Sequence, residues 1–121
     1  MNKQAIFETV KNHLLSMDKR SYVEDNTGFP VCVYLDPDGR KCAIGALIPD
    51  GHPAQQVRMS VTTLLEQYSD LEQLWQVETE EDKNFLCTLQ RVHDYKGHWD
   101  DKGLNAKGIQ MLNDIVDEFN L

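Results

Sequence analysis

The chain is 121 residues long, enough for one domain that buries about two-thirds of its unfolded surface. Its 40% hydrophobic and 8% aromatic content supports a core without disulfide or metal staples, and no apolar run approaches the roughly 20 residues of a membrane-spanning helix. The net charge of −8 is lopsided, since residues 1–60 hold seven basic and seven acidic side chains and residues 61–121 hold five and thirteen. Such a surface repels phosphate backbones and anionic lipid, which argues against generic nucleic-acid and membrane binding.

The N-terminus shows helical spacing and no apolar signal block, so the expected compartment is the cytoplasm. Ile6, Val10, Leu14 and Met17 form one apolar stripe behind a cap at Asn2, which predicts a helix over 3–16. Gly28 and Pro30 then break the chain into a loop. The run Val31-Cys32-Val33-Tyr34-Leu35 followed by Asp36-Pro37-Asp38-Gly39 predicts an antiparallel hairpin, with Pro37 presetting φ and Gly39 taking the left-handed bulge position. Asp36 then pairs with Arg40, Leu35 with Lys41, Tyr34 with Cys42, Val33 with Ala43 and Cys32 with Ile44. Cys32 and Cys42 are diagonal in that register and Cys87 is remote, so all three are expected to be free thiols.

Ile48-Pro49-Asp50-Gly51-His52-Pro53 reads as a turn, and Val57, Val61, Leu64, Leu65 and Tyr68 predict a helix over 57–68. Asp70 and Gln73 occupy capping-box positions ahead of a short turn through Leu74 and Trp75. Thr79-Glu80-Glu81-Asp82 opens a stronger helix, expected over 80–95, whose inner face holds Phe85, Leu86, Leu89, Val92 and His93. Gly97 stops it. The last helix, 105–119, is capped by Asn105 with Leu104 and Ile109 at staple positions, and its apolar stripe continues through Leu112, Ile115, Val116 and Phe119. Together these predict one α+β domain over 1–121: about four amphipathic helices around one antiparallel hairpin, or a small sheet grown from it.

Candidate chemistry centres on Cys42 and His93. Arg40 and Lys41 precede Cys42 and favour a thiolate, His93 is the natural base, and Asp94 is the candidate orienter. Helical phase sets Asp94 about 100° from His93, which argues against a grip on the imidazole. The competing reading makes Cys42 a small buried hydrophobe and His93 a core histidine hydrogen-bonded to a carbonyl or to the Tyr34 hydroxyl. No Cys or His spacing forms a zinc motif, and no phosphate-cradling or dinucleotide loop is present, so no cofactor and no metal are expected. Glu66 to Asp82 holds seven carboxylates without a basic residue, which suits a basic protein partner, and Glu72, Trp75, Glu80, Glu81, Asp82 and Trp99 are the candidate contact residues.

The segment Tyr34-Leu35-Asp36-Pro37-Asp38-Gly39-Arg40-Lys41-Cys42-Ala43-Ile44-Gly45-Ala46-Leu47-Ile48-Pro49-Asp50, with Leu89-Gln90-Arg91-Val92-His93-Asp94 later, resembles small uncharacterised proteins of phages and prophages. The resemblance carries no catalytic residues. It implies an accessory protein that binds and modulates a host protein. A Cys-His enzyme using Cys42 and His93 is one alternative, and a small-ligand binding module beneath the hairpin is another.

Overall fold

The computed structural model describes residues 1–24, 30, 31 and 33–121. In chain order these form α1 (Lys3–Ser16), β1 (Val23–Glu24), β2 (Pro30–Val31), α2 (Val61–Gln67), α3 (Ser69–Leu74), α4 (Glu80–Asp94), β3 (Trp99–Asp100), β4 (Gly103–Leu104) and α5 (Ala106–Glu118). Short 3-10 turns lie at Ile44–Leu47, Pro53–Gln56 and Lys96–His98. The result is a mostly helical α+β domain, as the periodicities require.

Helix α4 is the centre of the core. Its Phe85, Leu86, Leu89 and Val92 are fully buried against Val10 and Leu14 of α1, Leu64 and Leu65 of α2, and Leu112 and Ile115 of α5 within one apolar cluster. Caps match the sequence at three of the helix starts. Asn2 accepts from the Ala5 N–H at 3.0 Å, Asn105 accepts from Lys107 and Gly108, and the Thr79–Asp82 capping box closes in both directions. Ile109 stays 41% exposed, and Leu104 instead fits over Gly108, where a Cβ would lie 2.5 Å from its Cδ1.

Three expectations change. Helix α2 starts at Val61 rather than 57, because Ser60 caps it through the Thr63 N–H and Pro53–Gln56 forms a separate 3-10 turn. Asp70 is no cap: α3 begins at Ser69 directly after Tyr68, which leaves the Asp70 carboxylate to pair with His52 at 2.6 Å. The hairpin turn forms in the expected register, with Asp36 N–H donating to the Arg40 carbonyl, a Leu35–Lys41 bridge, and Cys42 N–H donating to the Tyr34 carbonyl. Its returning strand, however, ends at Cys42.

The 3-10 turn at Ile44–Leu47 replaces the rest of that strand, so the Val33–Ala43 pairing does not follow. The reason is a set of competing acceptors. Cys42 Sγ accepts from the Gly45 N–H at 3.2 Å, its carbonyl accepts from Ala46, and Gln90 Oε1 takes the Ile44 N–H at 3.0 Å. Gly45 is required there, since a Cβ would sit 2.1 Å from the Tyr34 carbonyl oxygen. The Cys32–Ile44 pairing and the Gly28 loop lie outside the described residues.

Two short antiparallel pairs complete the fold, β1 with β2 and β3 with β4. The second was not visible in the sequence. Gly103, at φ +124°, closes it with its α-carbon against Met17, where a Cβ would meet the carbonyl oxygen at 2.5 Å. Among the described residues no helix is long and apolar enough to cross a membrane.

Candidate functional site

The last turn of α4 gathers more polar contacts than any helix end needs for capping. His93 is fully buried, and its Nε2 accepts from the Ser21 backbone N–H at 3.2 Å. An amide can only donate, so the ring proton lies on Nδ1, which donates to Asp94 Oδ1 at 3.0 Å. The Ser21 hydroxyl stands 2.9 Å from the same Nε2. Burial, helped by the nearby Arg20 charge, outweighs the Asp94 carboxylate and lowers the His93 pKa, so the ring is neutral at pH 7.

The grip of Asp94 on His93 corrects the helical-phase expectation. A divergence of about 100° separates the Cβ atoms, but the facing nitrogen and oxygen lie within reach of each other because both side chains are short. Gln90 Nε2 donates to the same oxygen, Oδ1, at 2.8 Å from one turn earlier. Around this group the carbonyls that α4 leaves unpaired are satisfied from outside. His98 bonds the Val92 carbonyl at 2.8 Å, the Trp99 indole N–H donates to His93 at 2.8 Å, and Arg20 donates to Asp94 at 2.6 Å.

Cys42 does not join this group as His93's partner, because both ring nitrogens are engaged by Ser21 and Asp94. The cysteine is fully buried, and burial pushes its thiol up to about 12 against the pull of the Gly45 N–H. It is therefore a protonated thiol at pH 7. The Tyr34 hydroxyl is not His93's partner either, since it donates to the Met59 carbonyl at 2.7 Å. Cys42 and Cys87 are both free, and Cys32 lies outside the described residues.

The candidate contact residues divide sharply. Trp75 is 6% exposed with its indole N–H donated to Leu47, and Trp99 is spent on the α4 carboxyl end. Asp82 is buried by its cap and its 2.9 Å pair with Lys3. Glu72 is half-buried, and its carbonyl accepts from Val77. Glu80 and Glu81 are exposed, with Glu80 paired to Lys83 at 3.4 Å.

A cavity of about 210 Å³ opens beside this turn, between α4 and the segment carrying Tyr34 and Met59. Asp94, Arg91, Gln90 and Cys87 form its α4 wall. Ser21, Arg20 and Gln90 were not singled out in the sequence. Ser21 and Arg20 carry no motif, while Gln90 stood inside the quoted Leu-Gln-x-x-His-Asp run. Among the described residues no group of three or more His, Cys, Asp or Glu side chains is arranged to hold a metal ion. Compared with protein-family models, curated proteins and solved structures, the chain has no match in any of the three.

Proposed function

We propose that the chain is an accessory protein of phage or prophage type that binds and modulates a host protein through its acidic second half. One observation carries this reading. Glu66, Glu78, Glu81, Asp114, Asp117 and Glu118 are exposed, and none makes an ion pair among the described residues. Open carboxylates on α2, on α5 and in and just before the first turn of α4 favour encounter with a basic surface and disfavour nucleic acid. Trp75 and Asp82 leave the contact set because the fold uses them, and Glu80 and Glu81 remain as its centre. The test is affinity capture from a bacterial lysate with the wild-type chain and with Glu66→Lys/Glu80→Lys/Glu81→Lys. A host protein retained by the wild type, released by salt and lost in the variant is the expected result. Identical retention by both, or none by either, contradicts it.

A second reading has its own observation: Ser21 Oγ, His93 and Asp94 follow the contact order of a serine hydrolase triad, in the tautomer such a base needs. Burial opposes it, since Ser21 and His93 are both 0% exposed. The Ser21 amide also occupies the lone pair that a base would use. We expect no labelling of Ser21 by a fluorophosphonate at neutral pH, and His93-dependent labelling would move the protein to the hydrolases.

A further inference from the structure

The acidic face leaves the cavity beside the end of α4 without a role, and its wall is unusual in two respects. Asp94 is the last helical residue, where the helix dipole presents its negative end and a carboxylate is disfavoured. It is nevertheless held there by His93 and Gln90, both on Oδ1, while Oδ2 has no hydrogen bond or ion pair among the described residues. Its side chain is 39% exposed. The buried His93 and the half-buried Gln90, both on α4, thus fix a carboxylate in place and leave one oxygen open.

Arg91 is the second unusual feature. Residues three apart on a helix carry Cβ atoms about 5–6 Å from each other and readily pair. Arg91 and Asp94 both line the cavity and yet form no ion pair. The opposite wall sets the apolar Val33, Met59 and Val61 beside Tyr34 and Ser60. A volume of about 210 Å³ is below the roughly 300–1,000 Å³ of sites for drug-sized ligands, which points to a smaller molecule.

We propose that this cavity binds a free α-amino acid with an apolar side chain, its ammonium on Asp94 Oδ2, its carboxylate on Arg91 and its side chain against Val33, Met59 and Val61. A ligand that carries both charges on one carbon matches two opposite charges one helical turn apart. A simple amine leaves Arg91 unmatched, a simple acid meets the Asp94 charge, and a peptide separates its two termini. His93 and Gln90 are positioning residues that aim the Asp94 carboxylate. This site is independent of the proposed docking face.

Cys87 lines the same cavity, is half-buried and carries a free thiol, so it reports occupancy directly. The experiment alkylates the native protein under limiting reagent and follows the Cys87 peptide by mass, with leucine, methionine, 4-methylpentanoate or isopentylamine present. Leucine and methionine should slow Cys87 alkylation about tenfold at ten times their dissociation constant. The acid and the amine alone should not. Arg91→Gln, at an exposed position, should abolish the protection by leucine, as should Asp94→Asn. No slowing by amino acids at tens of millimolar overturns the proposal, as does protection that survives in both variants. Equal protection by isopentylamine overturns the role given to Arg91.

Discussion

The two ends of α4 each carry an aspartate, and the two are built for different purposes. Asp82 sits in the first turn, where the dipole welcomes an anion, and is 5% exposed. Its oxygens accept from the Glu78 and Thr79 N–H groups and pair with Lys3. Asp94 sits in the last turn against the dipole and shows 39% of its side chain to solvent, with one oxygen left open. A carboxylate that completes the fold uses both oxygens, one on its own helix start and one on a neighbouring helix. A carboxylate held out against the dipole by His93 and Gln90, with one oxygen open, is arranged for something outside the chain.

That contrast sets the scale of the expected substitutions. Asp82→Ala should cost the most, about 2–3 kcal/mol in urea unfolding, since it strips a cap and leaves Lys3 without its partner. Burial works to raise the Asp82 pKa, but the Glu78 amide, Lys3 and the Thr79 amide hold it at about 2. The folded value lies below the unfolded one, so this stability is complete above about pH 4 and is lost as pH falls through 2. Asp82→Ala should flatten the acid limb of the stability curve.

His93→Ala should cost about 2 kcal/mol, because it leaves a void and strands the Ser21 N–H. His93 has the opposite linkage from a histidine that gains a charge partner. Its folded pKa is lowered, so its contribution is complete above about pH 6.5 and declines as pH falls below that, where the unfolded chain takes up the proton first. His93→Gln should therefore weaken the loss of melting temperature between pH 7 and pH 5. A steeper loss would contradict the neutral tautomer. Ser21→Ala should cost about 1 kcal/mol, since the backbone N–H to His93 survives it. Glu81→Gln, exposed and unpaired, should stay within about 0.5 kcal/mol of wild type. Cys42 should resist native alkylation far longer than Cys87, as its burial and raised pKa require.

What the sequence disclosed divides between local and distant contacts. The α4 start was legible because Thr79 and Asp82 bond each other three residues apart, and the Asp36–Gly39 turn was legible because Pro37 and Gly39 dictate it. The returning strand was misread past Cys42, since Gln90, 46 residues away, supplies the acceptor that turns Ile44 into a helical conformation. His93 was placed correctly in the core by its stripe, but its partner Ser21 lies 72 residues earlier and no period points to it. The Asp94 contact failed for another reason, a rule about Cβ directions applied to atoms further along the side chains. Strands of two residues, as in β3 and β4, are too short to show alternation.

The central claim is that Asp94 is held for the cavity and not for the fold, and Asp94→Asn tests it most directly. Asparagine keeps the carbonyl oxygen that accepts from His93 and Gln90 and removes the charge that opposes the dipole. Urea unfolding at pH 7 should place Asp94→Asn within about 0.5 kcal/mol of wild type, or above it, while Asp82→Asn falls by about 2 kcal/mol. A loss at Asp94 as large as that at Asp82 would contradict the account and make both carboxylates part of the fold.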